Sequence, residues 1–461
     1  ITLQSDSPGV QWDLAGAGAK NVSNAFVSDS NNTGAAVSAS SSKNVSNNNG
    51  WTFNATTVEW DGSSSTDWNT PANWDVGYVP NDTDNIIIAN VGSQPVTLFA
   101  DTTANNLTIN LGANLDTSGK NLAVTTTFTN NGTLRVRGGE SLPANLNQGT
   151  VNYYYSVDNP LHATLYNNLI ISGTGTFSTT ALTTVNGNLS VSNGTLDITT
   201  GGMTVIGNID MPSGTLNATS QTMTVGGNWN NSGGNFTSTG STVIFNNTGT
   251  IQNVNGYSFN NLTVSGGTRT LGTAITAAGN ITISAGNLDV SATNYKITAG
   301  GNWNSTGGTF TEQNGIVEFN DTGNIVNGET FYDLTISSGT RTLSATVNPI
   351  IINDLSMTGG DFQAGAGIIT VGRHWSNSGT FTCGTSKIIF NGTSVQTITT
   401  GGTGVGKTFY HIEIASTNTV SLAAGNDLKQ DTGGVLTMAS GTLNLNGLTW
   451  TLGANFSQGA G

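Results

Sequence analysis

The chain has 461 residues, 62 of them Gly, and only 8% charged residues, against about 25% in an ordinary soluble domain. Its 12 Lys+Arg against 26 Asp+Glu give a net charge of −14, with no basic stripe to replace phosphate counterions, so nucleic acid is excluded as a partner. No run approaches the roughly 18 apolar residues of a membrane span, and the single Cys383 rules out an intrachain disulfide or a cysteine metal cage.

Residues 1–57 form a module of their own, with the phrases QWDL, AFVSDSNNTGAAVSAS and NNNGWTF. Residues 58–88 follow as a Trp- and Pro-rich insertion or cap: Trp60, Trp68 and Trp74, with Pro71 and Pro80, interrupt the style of the rest. From residue 89 to 461 the pattern is continuous and repetitive. GGNWNNSGGNFT, GGNWNSTGGTFT and GRHWSNSGTFT begin at Gly226, Gly300 and Gly372, and Trp229, Trp303 and Trp375 lie 74 and 72 residues apart. Phe245, Phe319 and Phe390 recur at a similar step, as do Leu262, Leu334 and Ile412. A fixed period signals stacked units rather than a globule.

A shorter period lies inside the long one. TVNGNLSV, TVIGNIDM and TVGGNWNN place Leu189, Ile209 and Trp229 at spacings of 20. Each such unit of about 20–24 residues holds short alternating runs, the mark of half-buried strands. Gly, Asn and Ser-Gly separate the runs and accept turn geometry. In-register columns such as Asn188, Asn208 and Asn228 favour coils stacked one on another over hairpin pairing. The expected fold is therefore all-β: a right-handed parallel β-helix, or β-solenoid, of about twenty coils grouped in 72–74-residue repeats. The columns named above, Trp229, Trp303 and Trp375 included, are expected inside it. Arg269 and Arg341, in two GTRTL phrases, are expected to point outward as a repeating surface feature.

Three motifs suggest chemistry. Asp82 and Asp84 in NDTDN sit two residues apart on one turn, an oxygen-rich pairing that calcium would suit. It lacks the bidentate Glu of an EF-hand and reads first as a solvated turn, with calcium and then a paired-acid catalytic use behind it. Trp60, Trp68 and Trp74 read either as local packing or as aromatic platforms for a ligand. GGTGVGKT (401–408) matches a phosphate-loop pattern, but an alternating strand follows it where a helix is required. His162, His374 and His411 have no metal-ligand spacing; His374 stands in the Asn column beside Trp375. Asp333 and Asp354 lie about one coil apart, as a glycosidase pair would, yet no acid, His and Arg/Lys cluster accompanies them. No catalytic residue is assigned, and calcium is the one cofactor considered. Asn-x-Ser/Thr sequons, as at Asn21 and Asn261, follow from the composition.

WDG at residues 60–62, two further tryptophans, then VP and an Asp before a strand resemble the opening of repeat regions in large bacterial surface proteins of the adhesin, autotransporter-passenger type. STVIFNNTGTIQ, FNNLTVSGGTRTL and GGNW resemble the repeats of the same proteins, and Gly50, Trp51 and Phe53 resemble a closing module of them. The resemblance spans nearly the whole chain and implies a β-solenoid at the cell surface. A closing-type module placed ahead of an opening one, and ends without a charged or helical cap, lead to the expectation of one segment of a longer fibre. The expected function is a non-enzymatic extracellular structural element of a fibre, sheath, surface layer or adhesin stalk. Its partners would be copies or neighbouring segments of itself, with surface glycans as a further class. The alternative is a carbohydrate-binding or carbohydrate-degrading β-helix.

Overall fold

The computed structural model describes residues 1–92, 95–253, 256–344, 347–454 and 456–458. The chain is a parallel β-solenoid; among the described residues the one helical element is a 3-10 turn at Pro71–Asn73. It divides into two compact units, Ile1–Thr200 and Gly201–Gly461.

In the first unit, coiling begins well before residue 89. Thr2–Leu3, Phe26–Ser28 and Lys43–Ser46 pair in parallel, as do Lys20–Ser23, Val37–Ser40 and Trp51–Phe53. Thr57–Trp60 then pairs with Asn85–Ile88, and that strand with Thr102–Ile109. Residues 61–84 are thus an excursion from a single coil. A second ladder runs through Asn114–Asp116, Thr133–Val136, Thr150–Tyr153 and Asn168–Ile171.

In the second unit the coils advance by 17 to 24 residues, as Val317↔Leu334, Ile209↔Trp229, Ile281↔Trp303 and Ile412↔Leu436 show. Alternation fixes the inside. Thr242–Phe245 buries Val243 and Phe245 and half-exposes Thr242 and Ile244. Since parallel strands repeat the same inward positions, all nine core-column residues lie buried: Trp229, Trp303, Trp375, Phe245, Phe319, Phe390, Leu262, Leu334 and Ile412.

The long repeat is an aromatic layer. Trp229 is surrounded by Phe236, Phe245 and Phe259 at centroid distances of 4.8, 6.2 and 5.3 Å. Trp303 has Phe310, Phe319 and Phe331 at 4.9, 6.2 and 5.6 Å, and Trp375 has Phe381, Phe390 and Phe409 at 4.8, 6.5 and 4.9 Å. Edge-to-face contacts of this kind add about 0.5–1.5 kcal/mol each to the burial itself. The landmark glycines have a steric cause. A Cβ at Gly226, Gly300 or Gly372 would lie 2.2, 2.1 or 2.0 Å from the carbonyl oxygen of Ile206, Ala278 or Ile352 on the coil before.

Arg269 and Arg341 do not point outward; both are 0% exposed. Arg269 shares the inward face with Leu271, two residues on. Its guanidinium donates to Gly227 O, Gly226 O and Val225 O at 2.5, 2.7 and 3.2 Å, two coils away, and lies 4.8 Å over the Phe245 ring. Arg341 repeats this with Gly301 O, Gly300 O and Ala299 O at 2.5, 3.2 and 3.4 Å, and lies 3.9 Å over Phe319. Convergent carbonyl dipoles and a ring face replace a counter-ion. Burial lowers each guanidinium to about 10, so both stay charged at neutral pH.

The third repeat solves the same problem differently. Gln396 Nε2 donates to Val371 O and Arg373 O, both at 3.0 Å, the counterparts of the arginine-bound carbonyls. In register, Gly249 faces Arg269 and Gly323 faces Arg341, but Gln396 faces Val420. A Cβ at Gly249 or Gly323 would lie 2.5 Å from the arginine Nη1. Glycine makes room for the guanidinium of the next coil; where glutamine fills that room, the next coil carries valine.

The polar column is wired from side chain to backbone rather than amide to amide. Asn208 Oδ1 accepts from Asn228 N at 2.8 Å, Asn228 Oδ1 from Thr250 N at 2.9 Å, and Asn280 Oδ1 from Asn302 N at 2.8 Å. Asp333, Asp354 and His374 continue it, with Asp354 Oδ1 accepting from His374 N at 3.1 Å and His374 Nδ1 from Thr397 N at 3.1 Å. His411 Nδ1 likewise accepts from Val435 N at 3.1 Å. That role requires neutral imidazole, since a protonated Nδ1 would face a second donor.

Burial lowers the His411 pKa from 6.5, and the Lys387 ammonium beside it adds to the fall. The folded coil therefore binds fewer protons than the unfolded chain. The stabilisation is whole above about pH 6.5 and is lost as pH falls through the depressed value. The protection factor of the Val435 amide, its exchange rate relative to the free-peptide rate at the same pH, is expected to fall on acidification through that window. His411→Asn, which keeps an acceptor without a titration, is expected to flatten the response; an unchanged response would remove His411 as its source.

Candidate functional site

The tryptophan excursion closes on itself. Trp74 donates its indole N–H to Trp68 O at 2.8 Å and meets Trp60 and Trp68 edge-on at 5.0 and 4.8 Å. Buried Asn73 locks the loop: its Oδ1 accepts from Ser64 N and Ser65 N at 2.9 and 2.8 Å, and its Nδ2 donates to Asp67 O at 2.8 Å. Trp60, Trp68 and Trp74 are 4, 2 and 2% exposed. Packed edge-on against one another, they form a small core for the insertion, the local-packing alternative, with Trp60 also lining a cavity beside Gly62 and Val91.

Asp82 and Asp84 do not converge. Asp82 is exposed, while Asp84 is buried with Oδ2 accepting from Asn81 N at 3.0 Å. Burial pushes the Asp84 carboxyl up, against backbone hydrogen bonds from Asn81 and Thr56 and the charge of Lys43. The carboxylate pins its own turn. Among the described residues, no group of three His, Cys, Asp or Glu side chains is arranged to hold a metal ion.

The other motifs are similarly engaged. In the 401–408 loop, Lys407 Nζ donates to Asn377 O and Gly379 O at 2.8 and 2.5 Å, which turns the charge onto the scaffold. Cys383 is buried, its thiol 3.3 Å from Asp431 Oδ2 and pushed up to about 11 by burial and that carboxylate, so it is no nucleophile at neutral pH. Asp333 and Asp354 accept backbone N–H groups within the polar column. His162 is held at both ring nitrogens, Nδ1 by Tyr153 OH at 3.1 Å and Nε2 by Glu140 O at 2.6 Å.

One surface that the sequence reading passed over stands out. Arg135 and Arg137, the only arginines among residues 1–200, alternate outward from Thr133–Val136. Each lies 4.6 Å over a tyrosine ring of the following coil, Tyr154 and Tyr155 respectively. Tyr154 OH donates to Asp116 Oδ1 at 2.7 Å, and Arg137 Nη2 donates to Ser118 Oγ at 3.0 Å. Asp116, Arg135 and Tyr154 thus brace three successive coils from outside. On the same ladder of strands, at the corner ahead of Thr133 and Thr150, runs an asparagine-lined groove.

Residues 59–166 match the family model of a domain of unknown function, DUF8693. The match takes in the tryptophan excursion, the arginine–tyrosine face and most of the groove, and leaves the three long repeats outside it. No curated protein and no solved structure matches the chain.

Proposed function

We propose that this chain is a non-catalytic extracellular structural protein, a segment or subunit of a cell-surface fibre, sheath or adhesin stalk. One observation supports this above the others: the chain commits its scarce charged and special side chains to holding coil on coil. Two of its five arginines are buried against carbonyls two coils away, and two more brace the outside. Trp229, Trp303 and Trp375 fill aromatic layers, and Asp333, Asp354 and His374 serve as column acceptors. Stability then accumulates by nearest-neighbour interfaces, as load-bearing material requires. The degrading alternative would need two carboxylates free to face one sugar bond, and its best pair, Asp333 and Asp354, is tied to backbone.

Immunogold labelling of the producing cells with an antibody against the purified chain tests the reading. Label along filaments, a layer or surface spikes is the expected result. Label confined to the cell interior, or turnover of a polysaccharide by the purified chain, would overturn it.

A further inference from the structure

The groove in the first unit has a volume of about 890 Å³ and is lined chiefly by Asn90, Asn110, Leu111, Asn131, Thr150 and Asn168. Register builds it. Ile88, Ile109 and Asn130 are neighbours across three parallel strands, so the residues that follow the last two, Asn110 and Asn131, take the same corner on adjacent coils. Asn90 stands at that corner on the coil before. Coils in contact are about 4.8 Å apart, so amides recur along the groove at that interval.

These amides differ from the corner asparagines that wire the polar column. Corner asparagines such as Asn208, Asn228 and Asn280 are consumed by the backbone of the next coil. At one end of the groove Asn167 and Asn168 both donate to Gly149 O, at 3.1 and 3.2 Å. The side-chain amides of Asn90, Asn110 and Asn131 have no hydrogen-bond partner among the described residues. Beside them Leu111 is 81% exposed. No charged residue lines the groove.

We propose that this groove binds an uncharged, extended polysaccharide lying along the coil axis, with successive sugars against successive amides. Each free amide offers two donors and an acceptor, the complement of a sugar hydroxyl that must both give and take a hydrogen bond. Repetition at one-coil intervals suits a repeating polymer rather than a compact small molecule. Leu111 supplies an apolar contact for the C–H face of a sugar ring. The neutral lining gives a carboxylated glycan no counter-charge, and the net charge of −14 repels polyanions at long range. The site is independent of whether the chain is part of a fibre.

Titration calorimetry of the full 461-residue chain with cellohexaose, mannohexaose and hexagalacturonate provides the test. At least one neutral hexasaccharide is expected to bind with an affinity insensitive to salt. The triple variant N90A/N110A/N131A is expected to weaken that binding at least tenfold, about 1.4 kcal/mol. Leu111→Ser, at a position too exposed to support the fold, is expected to weaken it while leaving thermal unfolding unchanged. Failure of both neutral sugars to bind, binding of the galacturonate alone, or undiminished binding by both variants would overturn the proposal. So would self-association of the chain that the triple variant abolishes, because the groove would then belong to a second copy.

Discussion

Arg269→Val is expected to destabilise the second unit by about 2–4 kcal/mol, felt first in the coils around Phe245. The carbonyls of Gly226 and Gly227 lose the guanidinium donor at once, Val225 O keeps only the Asn246 N–H at 3.3 Å, and the space over the ring is left open. Each buried acceptor left unpaired costs about 1–3 kcal/mol. The net falls below their sum because removing the arginine also relieves the burial of a charge, the same effect that lowers its pKa. Adding Gly249→Gln should recover more than half the loss, because it reproduces the Gln396 and Val420 arrangement of the third repeat. Gly249→Gln alone, with the arginine kept, should be damaging by itself, since a Cβ there lies 2.5 Å from Nη1. Denaturant unfolding of the four proteins closes a double-mutant cycle. A valine variant as stable as the parent, or a double variant no better than the singles, would refute the exchange.

Leu334→Asp is expected to cost more than about 4 kcal/mol, because it places a carboxyl without a partner in a sealed interior. Leu334 is 0% exposed and stacked between Val317 and Leu355. Neighbour-only coupling makes the damage local: exchange protection should vanish from the coils on either side and persist several coils away. Limited proteolysis should cut there first, and any end-to-end assembly that depends on those coils should shorten. Unaltered protease resistance would count against a stacked core at this position.

The buried columns were legible because a stacked strand repeats its inward positions, so Trp229, Trp303 and Trp375 could be aligned by eye with Phe245, Phe319 and Phe390. Arg269 and Arg341 run against the expectation from charge because alternation, not charge, sets their face. In Arg-Thr-Leu the arginine shares a face with an inward leucine, and Gly249 and Gly323, at matching places in their repeats, mark the room left for it. The tryptophan excursion was recognisable as an insertion. Its closure was not, because it depends on Asn73 and on edge-on ring contacts that no periodicity records. Arg135 and Arg137 lie on an outward alternation that could be read, but their tyrosines sit on the following coil. The groove amides were hidden by abundance: among so many asparagines, three that share one corner carry no mark in the sequence.

The matched pairs Gly249 with Arg269, Gly323 with Arg341 and Gln396 with Val420 constrain how such a chain can be lengthened or shortened by recombination. A crossover that carries both members of a pair transfers an intact lock. One that falls between them joins a glutamine to an arginine in a single space, or a glycine to a valine over bare carbonyls. Break points are thereby steered away from the stretch of about one coil that separates the two, even where the surrounding DNA is alike.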